Sequence, residues 1–303
     1  MATPAQPPET VGAYLAQLRG ALKGAPAGLI SDALADCEDH LNNEIAQNPD
    51  LSEREILASV VETYGTPGEI AEEYRDMEHT ISTPFPQPET QDGGRNFGFF
   101  NVVSDPRTYG ALLFMLLALP TGIFYFVWSI AGISLSLGFA ILIIGVPFFL
   151  LFVGSIRVLS HVEGRIVEAL LGVRMPRRLP ATTPADAGLW TMIKETLSDV
   201  RTWSSLFYML IRLPLGIIYF VVALIGMIVP LSVTGTALYA LITNDASHIN
   251  VDGAPYIDHF LHTAPGLIVF ALAGVLVFFL ALHVARAIGW VHGKIAEGLL
   301  VRL

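Results

Sequence analysis

A chain of 303 residues that is 53% hydrophobic and only 15% charged, with a mean hydropathy of +0.57, is too poor in charge for an ordinary soluble globule. Its net charge of −10 is unevenly placed: residues 1–80 hold 4 Lys/Arg and 15 Asp/Glu, and residues 81–303 hold 13 and 12. The acidic N-terminal part argues against nucleic-acid binding, which needs Lys and Arg for the phosphates, and a single cysteine, Cys37, excludes an intramolecular disulfide.

Residues 1–10 are polar and Pro-rich rather than a signal peptide, so the N-terminus is expected in the cytoplasm. Val11, Tyr14, Leu15, Leu18 and Leu22 recur at helical spacing, and Gly24-Ala-Pro26 ends that helix. A second helix over 28–46 turns Leu29, Ile30, Ala33, Leu34, Cys37, Leu41 and Ile45 inward and places Asp32, Asp36, Glu38, Asp39 and Glu44 on its outer face. Ser52-Glu-Arg-Glu55 reads as a capping box, with Leu51 and Ile56 as its staple. Thr66-Pro67-Gly-Glu69 repeats the device and starts a fourth helix. The expectation is a compact acidic bundle of four short helices over 8–80. Its His40 reads as a surface or capping residue. Residues 81–104, with Thr-Pro-Phe-Pro-Gln-Pro and Asp-Gly-Gly, read as a linker, and Phe97, Phe99 and Phe100 reach the membrane surface.

Four apolar runs follow, 109–131, 139–160, 206–228 and 266–288, each about 20 residues, the length that crosses a ~30 Å hydrocarbon core as a helix. Residues 105–127 and 199–221 are the same segment written twice, identical at 13 of 23 positions with an offset of 94. The units also end alike, at 162–171 and 291–300, where the offset is 129. The second unit therefore carries about 35 extra residues, which fall around 243–265. The segments 132–138 and 229–265 lack Lys and Arg, whereas the connection between the units and the C-terminal end are rich in them. The positive-inside rule then puts both termini and the middle connection in the cytoplasm, with four crossings. Residues 229–242, broken by Pro230 and Gly235, read as an extended, re-entrant or interfacial helix. Segments 161–173, 187–200 and 290–303 read as amphipathic helices along the inner surface.

The repeated Leu-Pro-x-Gly element yields one set of candidate residues. Pro120 with Gly122, and Pro214 with Gly216, would kink paired helices and let them approach closely. Helix packing alone accounts for that pattern; the sharper reading is a pathway or cavity for an amphiphile, lined also by Tyr125, Tyr219 and Arg212. Arg212 stands where the first repeat has Ala118, and is expected to snorkel to the inner surface unless it serves as a buried functional charge. Metal ligands are sparse: His248, Asp258, His259 and His262, with Asp245 and Asp252 upstream, gather in the outer loop, as polar loops do by chance. His161/Glu163 and His283/His292 at the inner helix ends read as interface packing. No phosphate loop, His-Glu-x-x-His or Gly-x-Ser-x-Gly is present, so neither enzyme activity, a cofactor nor a bound metal is expected.

Tyr14-Leu15-x-x-Leu18, Asp36-x-x-x-His40-Leu41, Leu51-Ser52-Glu53 and Gly65-Thr66-Pro67-x-Glu69-Ile70-Ala71 together resemble the HAAS domain, a small bacterial helical module. That resemblance implies an intracellular signalling or adaptor role, in a pathway with a PadR-type regulator. Tyr109 to Pro147, Val162-Glu163-x-Arg165, Ala169-Leu170-Leu171-Gly172 and Asp199-x-x-Thr202-Trp203 through Tyr219 resemble the four-helix "putative sensor" domain of bacterial signalling proteins. In that family the domain often precedes a histidine kinase; here the output is expected to pass through the N-terminal head.

The reading is all-α: a cytoplasmic helical bundle (8–80), a linker (81–104), a first membrane repeat (105–178), a cytoplasmic connection (179–198) and a second, parallel repeat (199–303). It describes a multi-pass protein of the bacterial inner membrane that senses a membrane or envelope signal. The expected partners are the lipid bilayer, a second copy of the chain and a cytoplasmic protein met by the acidic head. The alternative is a permease-like or accessory subunit of a membrane transporter, in which case the head meets an ABC transporter component.

Overall fold

The computed structural model describes residues 8–80, 99–139, 145–176, 194, 196–247, 249 and 255–301, and every element among them is helical. In chain order these are α1 (Val11–Ala21), α2 (Ala27–Gln47), α3 (Glu53–Tyr64), α4 (Pro67–Thr80), a short 3-10 helix (Phe99–Val103), α5 (Pro106–Phe139), α6 (Gly145–Leu171), α7 (Val200–Thr243), α8 (Pro255–Leu261) and α9 (Ala264–Leu300). By residue contacts the chain divides into two compact units, one of 1–87, 136–206 and 295–303 and one of 88–135 and 207–294.

The first unit contains the four-helix head. Tyr14, Leu41, Ile56, Leu57 and Val60 form one buried cluster, and Leu18, Leu22, Ala33 and Ala71 form another. The helix starts follow the expected chemistry. The Ser52 amide donates to Glu55 Oε2 (2.9 Å) and the Glu55 amide to Ser52 Oγ (3.4 Å). Thr66 and Glu69 make the same reciprocal pair at 2.7 and 3.3 Å. Gly65 between these helices has φ +106°, a conformation that excludes most side chains. The Val11 amide donates to Glu53 Oε1 (2.7 Å), tying the start of α1 to the start of α3. Cys37 packs against both clusters, and burial pushes its thiol up to about 11.

Among the described residues four helices, α5, α6, α7 and α9, are long and apolar enough to cross a membrane. Their bounds differ from the apolar runs. Residues 132–138, expected as a connection, continue α5 as helix to Phe139, because apolar Ile133, Leu135 and Leu137 sustain it. Residues 229–242 complete α7, which runs 44 residues through both Pro214 and Pro230. Segments 161–171 and 290–300 are the last turns of α6 and α9 rather than separate helices. Among the described residues, the missing Cβ of Gly164 in α6 has the Met175 side chain near it (3.6 Å). Most of 187–200, like 81–98, lies outside the described residues.

Within the first unit, Arg157 on α6 pairs with Asp199 (3.1 Å) and donates to Thr202 Oγ1 (3.3 Å) at the start of α7. The Ser204 hydroxyl donates to Leu299 O near the end of α9. Within the second unit, Arg286 on α9 pairs with Asp105 (3.3 Å), one residue before α5. Phe99 stacks on His283 with ring centroids 5.0 Å apart. Ala240, Ile249, Leu261 and Leu267 close a small core around the segment between α7 and α9.

Candidate functional site

The Leu-Pro-x-Gly elements meet where α5 packs on α7. A Cβ on Gly122 would lie 2.7 Å from Arg212 O, and one on Gly216 would overlap Ala118 O. The two contacts are reciprocal: each glycine faces the carbonyl of the residue four positions before its counterpart in the other repeat. Helix carbonyls point toward the C-terminus, so this register suits two helices running the same way in close contact. Pro120 and Pro214 face outward and are exposed. Pro120 joins Ile123, Phe124, Val127 and Trp128 in a shallow apolar groove lying wholly on α5. Tyr125 and Tyr219 are buried.

Arg212 does not snorkel. Only 1% of it is exposed, and its guanidinium lies 4.4 Å from the centroid of the Phe114 ring, a cation–π arrangement. Around it a polar cluster is assembled from α7 and α9. Arg212 Nη1 is 3.5 Å from His292 Nε2, the Tyr208 hydroxyl is 2.9 Å from the same nitrogen, and Tyr219 Oη is 3.3 Å from His292 Nδ1. Arginine has only donors, so Nε2 accepts and Nδ1 carries the proton donated to Tyr219. The imidazole is thus fixed in one tautomer between two tyrosines. Its position at an inner helix end predicts interface packing for His292. It is instead fully buried at the centre of this cluster, because Tyr208, Arg212 and Tyr219 share the α7 face that meets it.

The metal candidates are dispersed. His248 lies outside the described residues, as does Asp252. His262 follows α8, with Nδ1 2.8 Å from Asp258 O and 3.9 Å from Asp258 Oδ2, and His259 is exposed. Among the described residues no three His, Cys, Asp or Glu side chains come together as a ligand set.

A second constellation escaped the sequence reading. Asp32, placed by periodicity on the solvated face of α2, is buried. The residue that covers it is Arg174, which follows Gly172 (φ +69°) at the end of α6. Arg174 Nη2 pairs with Asp32 Oδ2 at 2.9 Å, and Nε bonds Glu78 on α4 at 2.9 and 3.1 Å. The same side chain also donates to Met175 O. The approach is close: a Cβ on Gly28 would stand 2.7 Å from Met175 C and 2.8 Å from Arg174 O. One cation therefore holds two helices of the head to the segment that follows α6. A buried arginine suits this task because its fork satisfies two carboxylates at once. The only trace in the sequence is an arginine two residues past a helix-ending glycine.

Two family models match the chain, one described as "Putative sensor" over residues 114–300 and HAAS over residues 13–73. No curated protein and no solved structure matches it. The two families point to a signalling or sensor role, and the four long apolar helices to a membrane protein. With more than half of its length covered by the sensor model, the chain belongs to the family described as "Putative sensor" and carries a HAAS domain ahead of its membrane helices.

Proposed function

We propose that this protein is a sensor of the bacterial inner membrane, with both termini in the cytoplasm, that detects a membrane or envelope signal through α5, α6, α7 and α9. It relays that signal to a cytoplasmic protein through the acidic head, without catalysis of its own. The observation that carries the reading is the Arg174 clasp. It is a direct link between the end of α6 and helices α2 and α4, made by one buried arginine and two carboxylates. A shift at the end of α6 moves Arg174 relative to Asp32 and Glu78, and the head responds. The orientation is supported by the placement of Lys and Arg in the connections.

The test is hydrogen exchange on the full chain in lipid nanodiscs, before and after addition of a membrane-active cationic peptide. The expected result is faster exchange in α2 and in 172–176 whenever the membrane helices respond. A response of the membrane helices with no change at α2 would refute the relay.

A further inference from the structure

Helices α2 and α4 carry a second feature beside the clasp. The head has a cleft of about 210 Å3 with Leu41 and Val60 among its apolar lining and Asp36 and Glu73 among its acidic lining. Tyr64 and Met77, which also line it, remain 55% and 49% exposed and form part of its rim. His40 meets Tyr64 edge-on with centroids 4.3 Å apart, and its Nε2 is buried with no hydrogen-bond partner among the described residues. Buried polar atoms are nearly always paired, so His40 brings an unmet hydrogen-bonding atom to the wall of this cleft.

Size and charge identify the occupant. Pockets for drug-sized ligands run to roughly 300–1,000 Å3, so this cleft suits one large side chain. None of the four basic residues of the head, Arg19, Lys23, Arg54 and Arg75, lines it, and the head carries 15 acidic residues. We infer that the cleft receives an aromatic anchor with an N–H or O–H donor, presented by a lysine- or arginine-bearing segment of a cytoplasmic partner protein. The anchor donates to His40 Nε2 and is held by Tyr64 and Met77, and the flanking cations meet Asp36 and Glu73. This rests on the head being the output of the relay, and it extends that reading. Asp32 and Asp36 are one turn apart on α2, and Glu78 follows Met77 on α4, so the helices that grip Arg174 also shape the cleft.

The experiment uses the full chain in phosphatidylcholine nanodiscs and dye-labelled peptides read by anisotropy: Lys-Lys-Trp-Lys-Lys, the same peptide with Ala for Trp, and Glu-Glu-Trp-Glu-Glu. Saturable binding of the first is expected, at least tenfold weaker for the other two. Tyr64→Ala and Met77→Ala, both on the exposed rim, should each weaken it about fivefold or more, and Glu73→Lys likewise. Equal binding of the alanine peptide, indifference to all three variants, or no binding overturns the inference. So does a dimer seen by sedimentation that Tyr64→Ala dissolves, since the occupant is then a second copy. Hydrogen exchange in the same nanodiscs separates the two readings. If the peptide binds as expected while the membrane helices respond and α2 does not, the relay fails and the cleft stands. If the peptide does not bind while α2 still responds to the membrane, the cleft fails and the relay stands.

Discussion

Replacing Arg174 by methionine keeps most of the side-chain volume and removes the charge. In the native protein the Arg174 side chain is 4% exposed, Asp32 10% and Glu78 20%. Deleting one partner of a buried ion pair costs about 3–5 kcal/mol, because the remaining charge is left without compensation. Glu78 is the more exposed carboxylate and has the easier route to water, so the expected loss is at the lower end, about 3 kcal/mol, set mainly by Asp32. At about 1.4 kcal/mol per factor of ten, the opening of α2 from the 172–176 segment becomes roughly 100-fold more frequent. Native-state hydrogen exchange at α2 amides, with the full chain in nanodiscs, measures this directly. Two companions fix the cause. Arg174→Met combined with Asp32→Leu replaces the pair by apolar groups and should recover most of the loss. Gly28→Ala should open the same contact with every charge in place, because its Cβ has no room against Met175. If Arg174→Met changes exchange less than threefold, or the double variant is as open as the two losses added, the clasp is not what holds the segment.

Two further outcomes are expected. Gly216→Leu should lower the thermal stability of the detergent-solubilised protein by about 1–3 kcal/mol, the usual cost of overpacking. Gly138→Leu, where nothing among the described residues lies within 4 Å of the missing Cβ, should not; equal losses would mean that the α5–α7 contact is not tight. The carboxyls of Glu55 and Glu69 are held below their ordinary 4.5, Glu55 by the Ser52 hydroxyl and then its amide, Glu69 by the Thr66 amide and then its hydroxyl. A depressed carboxylate stabilises fully above its unfolded value and loses that contribution as pH falls through its folded value. Exchange protection at the Ser52 and Thr66 amides should therefore persist at pH 4.5 and disappear only in stronger acid; loss at pH 4.5 or above contradicts the capping role.

The head was largely legible in the sequence because its signals are local. Ser52 and Glu55, Thr66 and Glu69, and the apolar stripes act within a turn or two, and the structure places them as periodicity and capping chemistry require. Asp32 was misread for the opposite reason. Periodicity says that a residue is on the outer face of a helix and cannot say that another segment covers that face; its partner Arg174 is 142 positions away. The His292 cluster is similar, since Phe114, Arg212 and His292 are brought together by packing rather than spacing. Arg212 was singled out because it breaks the repeat, but its destination depended on an aromatic ring 98 residues earlier. The helix ends were misplaced because hydropathy marks where the chain is apolar, while a helix continues until something breaks it.

At 1.5 Å per residue α7 is about 66 Å long and α6 about 40 Å, against a hydrocarbon core of about 30 Å. Leu231, Leu238, Tyr239 and Ile242 keep the far end of α7 apolar and exposed. Helices so unequal cannot all match one bilayer, so α7 must tilt or stand clear of it, at a cost of a fraction of a kcal/mol for each ångström of hydrophobic mismatch. To the extent that α7 tilts, thinning or thickening the bilayer by a few ångströms is worth on the order of 1 kcal/mol to its angle, before any molecule has bound.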